Sequence, residues 1–317
     1  MKKDLISIND LTSKEIDEVF DLAVKLKRNK AKFSKVLAGK TLALIFQKPS
    51  NRTRVSFEVG MYQLGGNSVY LSPGEINLGV RETVKDAANT ISRYVDGIVL
   101  RTFEHKNCLD MAAASSVPVI NGLSDFSHPC QALADLFTIG EKFSRLNQAS
   151  RKLESRLKGL TLAYVGDGNN VCNSLLFAAA KTGMNIAVAS PAGYAPDARV
   201  VKESKEAAKE TGSQIRITQD PLSAVNGANA VYTDVWASMG QEEEISKRKI
   251  IFKDFQINAR LLTNAAPGVL VMHCLPAHRG EEITDEVMDS KNSVVFDQAE
   301  NRMHVQKAVL IKLLGRA

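Results

Sequence analysis

Apolar positions along the chain follow two patterns that alternate. Short runs such as Thr41–Phe46 (TLALIF) and Leu160–Val165 (LTLAYV) are apolar or β-branched nearly throughout. Such runs predict strands buried on both faces of a sheet. Between them, apolar residues recur at helical spacing, as in Ile16, Val19, Phe20, Ala23 and Val24 after the capping-box sequence Thr12-Ser13-Lys14-Glu15. The first half predicts strands at Thr41–Phe46, Asn67–Leu71, Gly97–Leu100 and Val117–Ile120. Its helices run from the first strand to Gly65-Gly66, over Thr83–Tyr94 and Leu109–Ser115, and from Pro129 to about Phe143. Ser72–Glu82 reads as a polar loop. The second half predicts strands at Leu160–Val165, Asn185–Ala189, Gln214–Thr218, Ala230–Val235, Val269–Cys274 and Ser293–Phe296. Helices cover Val171–Thr182, Asp197–Thr211 and Asn301–Leu314.

A repeated β-α order predicts an α/β fold of two doubly wound parallel-sheet domains. The expected division is residues 1–143 and 144–297, with the last helix, about 298–317, returning to the first domain. The charged, apolar-poor stretch Lys142–Lys158 reads as a surface segment between them. At 317 residues, with 44% apolar and 24% charged residues, each domain has material for a core of its own. The net charge of +6 suits small anions and, lacking a basic stripe, gives no strong nucleic-acid signal. Four dispersed cysteines and the absence of an apolar leader or span predict a reduced, soluble, cytoplasmic protein.

Ligands of open α/β sheets bind outside the carboxyl ends of the strands, and the polar clusters fall there. Ser50-Asn51-Arg52-Thr53-Arg54 combines hydroxyls, an amide and guanidiniums at a strand-to-helix corner. Helix amides and bidentate guanidiniums at such a corner suit phosphate or carboxylate; a plain capped helix is the alternative. Arg101-Thr102 ends the third strand. In Ser127-His128-Pro129-Cys130-Gln131, Pro129 fits a first helical position, leaving His128 at the cap as either a structural group or a donor to a carbonyl. Gly166-Asp167-Gly168-Asn169-Asn170-Val171 lacks the third glycine of a dinucleotide fingerprint, which disfavours an NAD-dependent oxidoreductase, and no Walker sequence occurs. Asp234 and Ser238 would hold an ammonium group or merely cap a turn. Cys274 is an inert core thiol or a functional one. His273, Cys274 and His278 suggest zinc only weakly, because neighbouring strand residues face opposite ways and no fourth ligand is evident.

Taken together, these clusters resemble the aspartate/ornithine carbamoyltransferase family over essentially the whole chain. Ser50–Arg54 is similar to the family's S-T-R-T-R loop and His128–Gln131 to its H-P-x-Q. Asp234–Gly240 (DVWASMG) resembles the D-x-W-x-S-M-G loop, and His273–Pro276 the H-C-L-P, of its ornithine-using members. Asn51 departs from the usual threonine or serine, and Lys142–Lys158 is longer than in many relatives.

The resemblance implies transfer of a carbamoyl group from carbamoyl phosphate to the δ-amine of L-ornithine, giving L-citrulline and phosphate in arginine biosynthesis, without cofactor or metal. A scaffold role is the non-enzymatic alternative. The resemblance puts the active site in a cleft between the domains. It implies that Ser50, Asn51, Arg52 and Thr53 grip the phosphate with Arg101, that His128 and Arg302 act at the carbonyl, and that Gln131 and Leu275 hold the carbamoyl NH2. Asn170, Asp234, Ser238 and Met239 then bind ornithine, and Cys274 orients the δ-amine. Asn77 aligns with a position that reaches a neighbouring subunit, implying a homotrimer.

Overall fold

A computed structural model describes residues 3–143, 157–237 and 242–315. The chain divides into two compact units, Met1–Ala134 with Glu300–Ala317, and Asp135–Ala299. The predicted surface segment lies mostly outside the described residues, as do Ser238 and Met239.

The first unit holds strands β1 (Thr41–Phe46), β2 (Asn67–Leu71), β3 (Gly97–Arg101) and β4 (Val119–Leu123), all parallel, in the order β2-β1-β3-β4. The second holds β5 (Thr161–Val165), β6 (Asn185–Ala189), β7 (Ile215–Thr218), β8 (Ala230–Thr233) and β9 (Leu270–His273), again parallel, in the order β7-β6-β5-β8-β9. Chain order therefore reverses at β1/β3 in one sheet and at β5/β8 in the other. A crevice opens at such a switch point because the flanking connections leave in opposite directions.

The strands are apolar runs because helices cover the sheets. Ala43, Ile45, Ile98, Leu100 and Val119 pack with Ala87, Ala88, Cys108 and Met111 in the first unit. Ala163, Val165, Val231 and Val271 pack with Trp236, Phe252 and Ile283 in the second. Edge strand β2, by contrast, is partly exposed.

Several elements differ from expectation where a further hydrogen bond or a proline intervenes. β4 begins at Val119 rather than Val117, after Pro118, which has no N–H to give a ladder. β8 stops at Thr233 because Asp234 takes the next backbone N–H, that of Val235, on its own carboxyl (2.8 Å). β9 stops at His273, whose ring takes the N–H of Leu275 (2.8 Å). Ser293–Phe296 is not a strand. Ser293 makes one bridge to Val271, and Val294 O then accepts the Gln298 N–H (2.8 Å), so the last helix starts early and spans Val295–Leu314. The loop Ser72–Glu82 contains a short helix, Pro73–Ile76, with Pro73 at its first turn.

Candidate functional site

In the first unit, β1 runs through Gln47–Pro49 into the helix Asn51–Gln63. Ser50 is its N-cap: the Oγ accepts the Thr53 N–H (3.3 Å) and donates to Thr53 Oγ1 (3.1 Å). The first turn of amides therefore faces the strand end, with the positive pole of the helix behind it. Arg101, the last residue of neighbouring β3, places Nη1 3.5 Å from Thr53 Oγ1. Thr53 and Arg101 are buried, Arg52 is half-buried and Asn51 is exposed. Arg54 turns away from this corner. It pairs with Glu58 (3.0 Å) and lies over the Tyr70 ring, 3.7 Å from its centroid.

His128 O accepts the N–H groups of Gln131 and Ala132, so His128 stands at the start of the helix Pro129–Phe143. Burial, followed by the positive charges of Arg302, Arg101 and Lys48, drives the His128 pKa well below its ordinary value. The ring is thus neutral at pH 7, the form that donates a hydrogen bond without adding charge. Arg302, from the C-terminal helix, donates through Nη1 to Gln131 Oε1 (3.1 Å). The geometry thereby groups Ser50, Thr53, Arg101, His128, Gln131 and Arg302 around one strand-end corner. Asn77 is exposed and caps the helix Pro73–Ile76 at φ 40°, a left-handed conformation that asparagine tolerates.

Lys48, two residues before Ser50, is a buried group that sequence reasoning missed; its place at the end of β1 was the available signal. Its ammonium lies 4.8 Å from the Phe103 ring centroid. Burial and the nearby Arg101 lower its pKa to about 8, against the opposing pull of Asp125. If Lys48 helps hold a phosphate, affinity is full below pH 8 and falls as pH rises through it, by up to about tenfold per unit. Titration of carbamoyl phosphate between pH 7 and 9.5 checks this, and Lys48→Met is expected to flatten the profile.

In the second unit, Gly166-Asp167-Gly168 turns from β5 into the helix Asn170–Thr182, and the asparagine pair divides its work. Asn169 is the N-cap, accepting the N–H groups of Val171 (3.0 Å) and Cys172 (3.1 Å), while Asn170 is the first helical residue. Asn169 also donates to Asp234 Oδ2 (2.7 Å) across the β5/β8 switch point. Asp234 Oδ1 accepts the Cys274 thiol (2.8 Å) and the Val235 N–H. A half-buried thiol, a carboxyl group and an amide thus converge where the strand order reverses.

The turn is closed to a dinucleotide for a reason besides the missing third glycine. A Cβ on Gly168 would meet the backbone of Ala195 and Pro196 at 2.2–2.6 Å, so the chain itself fills the close approach that a pyrophosphate would need. Gly168→Ala is expected to cost about 1–3 kcal/mol of stability through overpacking, measurable as a lowered urea midpoint. Beyond Asp234, Arg248 anchors the stem of the following loop, bonding Trp236 O (2.7 Å) and Asp167 (2.8 Å). This brace, too, was invisible in the sequence because its partners come from separate loops.

Asp234, His273 and Cys274 bring one ligand-type atom each within 4.8 Å of the others, closer than strand alternation predicts, because β9 has already ended. Both His273 nitrogens are nonetheless engaged: Nδ1 accepts the Leu275 N–H (2.8 Å) and Nε2 bonds Glu282 Oε1 (3.0 Å). Ligation through His273 would break one of these bonds. Leu275 itself sits at φ 60°, which costs an L-residue about 1–2 kcal/mol.

The fold and these clusters define a class: two parallel α/β units with a guanidinium-rich corner in one and a thiol–carboxyl cluster in the other. Comparison with known proteins narrows it. Residues 3–141 match the carbamoyl-P binding domain, and residues 158–313 the Asp/Orn binding domain, of aspartate/ornithine carbamoyltransferases. The chain is 52% identical over 315 residues to the ornithine carbamoyltransferase of Thermococcus kodakarensis, covering 99% of this chain and 96% of that protein. It is 51% identical, with the same coverages, to the anabolic enzyme of Pyrococcus furiosus. The solved ornithine carbamoyltransferase of Pyrococcus furiosus superposes with a TM-score of 0.92 at 50% identity, covering 99% of this chain and 97% of that one. The anabolic enzyme of Campylobacter jejuni does so at 0.89 and 35%, covering 98% of each. The chain belongs to the aspartate/ornithine carbamoyltransferase family.

Proposed function

We propose that this chain is an ornithine carbamoyltransferase, transferring the carbamoyl group of carbamoyl phosphate to the δ-amine of L-ornithine to give L-citrulline and phosphate in arginine biosynthesis. The carrying observation is the pair of switch-point clusters, Thr53–Arg101 with His128, Gln131 and Arg302, and Cys274–Asp234 with Asn169. An anionic leaving group and an amine nucleophile need these two chemistries.

In this reading, the amides of Ser50, Asn51, Arg52 and Thr53, with Arg52 and Arg101, bind the phosphate. His128, Thr53 and Arg101 donate toward the carbamoyl oxygen as negative charge develops there. Gln131 and the Leu275 carbonyl hold the carbamoyl NH2, with Arg302 alongside. Asn170 and the Met239 amide take the ornithine carboxylate, while Asp234 and Ser238 take its α-ammonium. The δ-amine, protonated in water below about pH 10.4, must lose a proton to attack; Cys274, bonded to Asp234, orients it and eases that loss. Nitrogen attacks the carbonyl carbon, the carbon–oxygen bond to phosphate breaks, and the electron pair leaves with phosphate. The balance calls for no redox or metal cofactor.

The functional division follows residues 1–143 and 144–297, with the stretch from about 298 to 317 belonging to the first part. Among the described residues no helix is long and apolar enough to cross a membrane; the cytoplasmic placement rests on the dispersed free cysteines, which suit a reducing compartment. Val55, Val59 and Tyr62 leave an exposed apolar stripe on the helix Asn51–Gln63, which supports assembly into a homotrimer, with Asn77 reaching a neighbouring subunit. Sedimentation equilibrium is expected to report three 34.6 kDa chains, and Tyr62→Lys to shift the mass downward. Incubation with carbamoyl phosphate and L-ornithine tests the activity. Citrulline should form, and formation of a carbamoylated product only with another amine would overturn the substrate assignment.

A further inference from the structure

Glu282 is a fully buried acidic residue to which the reaction above gives no task. Its Oε1 accepts two N–H groups, from His273 Nε2 (3.0 Å) and the His278 backbone (2.6 Å). On the far side of the same imidazole, Nδ1 accepts the Leu275 N–H at 2.8 Å. A backbone N–H can be accepted only by a ring nitrogen without a proton, so the proton of His273 is on Nε2, where Glu282 receives it. The His273 backbone is fixed as well, its N–H donating to Gln298 Oε1 (3.1 Å), while Gln298 holds Asp135 and Tyr232 through its other amide atom. Every flexible part of His273 is therefore constrained, and the ring meets the peptide that joins Cys274 to Leu275. That peptide would otherwise drift, because Leu275 is in the left-handed region at φ 60°.

We propose that Glu282 and His273 are positioning residues for the reaction: Glu282 selects the imidazole tautomer whose Nδ1 captures the Leu275 N–H, holding the Cys274 thiol toward Asp234 and the Leu275 carbonyl in place. The inference rests on the roles given to Cys274 and Leu275 above. Without an acceptor at position 282, the Nε2–H is left buried without a bond, and moving the proton to Nδ1 relieves that while turning a donor on the Leu275 donor. The Cys274–Leu275 peptide then loses its anchor. A displacement of about 1 Å at such a point costs turnover of order 100-fold.

The test compares wild-type protein with Glu282→Gln and Glu282→Leu, reading the imidazole nitrogens of His273 by 15N NMR together with steady-state kinetics. Wild type is expected to show the proton on Nε2 with Nδ1 as acceptor. The glutamine oxygen can still accept, so Glu282→Gln is expected to keep that signature and a kcat within about threefold. Glu282→Leu is expected to lose the signature, to lower kcat by about 10- to 100-fold, and to weaken carbamoyl-phosphate binding by a smaller factor, through the displaced Leu275 carbonyl. A proton on Nδ1 in wild type, or a folded Glu282→Leu protein with unchanged kcat, would overturn the proposal. Should Glu282→Leu fail to fold, His273→Asn stands in for it. Its amide oxygen takes the place of Nδ1 and is expected to retain turnover within about tenfold, whereas His273→Leu loses it; equal activity in the two overturns the idea. A wild-type protein that makes no citrulline refutes the substrate assignment instead, and the tautomer measurement still reads the bracing arrangement.

Discussion

An Arg101→Leu protein is expected to bind carbamoyl phosphate about 30- to 5,000-fold more weakly than wild type, since removing one member of a buried charge pair costs about 2–5 kcal/mol. Arg101 ends β3, is buried, and meets Thr53 Oγ1 beside the N-terminus of the helix Asn51–Gln63. Its charge also helps keep His128 neutral, so the substitution removes a guanidinium from the corner and relaxes the histidine together. Arg101→Lys keeps charge without the bidentate fork and should recover only part of the affinity. Arg52→Ala is expected to behave like Arg101→Leu. Arg54→Leu provides the contrast: that guanidinium is committed to Glu58 and Tyr70, and its loss should leave affinity unchanged. Direct titration of carbamoyl phosphate against the variants checks the ranking, and a strong loss at Arg54 would refute the division of labour.

Cys274→Ala is expected to lower kcat by about 100- to 1,000-fold, within the range contributed by a positioned proton-transfer group. Affinity for carbamoyl phosphate should survive, because the Thr53–Arg101 and Gln131–Arg302 bonds do not involve Cys274. Asp234 would lose the thiol but keep its bonds from Asn169 and Val235, so the cluster should stand. Equal loss of turnover and of carbamoyl-phosphate binding would contradict the assigned role. Cys274→Ser retains an O–H donor toward Asp234 and should fall between alanine and wild type.

Much of the fold was legible because burial of a strand on both faces demands an uninterrupted apolar run, and such runs are local. β1, β2 and β6 occur with the expected bounds. Several errors fall where a hydrogen bond outside the ladder claims the backbone. Asp234 and His273 each end a strand by taking an N–H group, and Val294 begins a helix inside an apolar run. For the site, Ser50 as cap and His128 before Pro129 follow from sequence, since capping is decided within one turn. The separate tasks of Asn169 and Asn170 do not, because Asn169 is set by Asp234, 65 positions away.

By itself the sequence determined the parallel α/β architecture, the strand-end address of every polar cluster and the family likeness, all carried by residues within a few positions of one another. Only tertiary structure decided which clusters share a corner. Sheet order puts β1 beside β3 and β5 beside β8, which brings Arg101 to Thr53 and Asn169 to Asp234. The C-terminal helix brings Arg302 to Gln131 across 171 positions. The proton on His273 was likewise undecided until Glu282 and the Leu275 N–H stood on opposite sides of its ring, for hydrogen-bond partners are chosen by packing in space and leave no periodic trace along the chain.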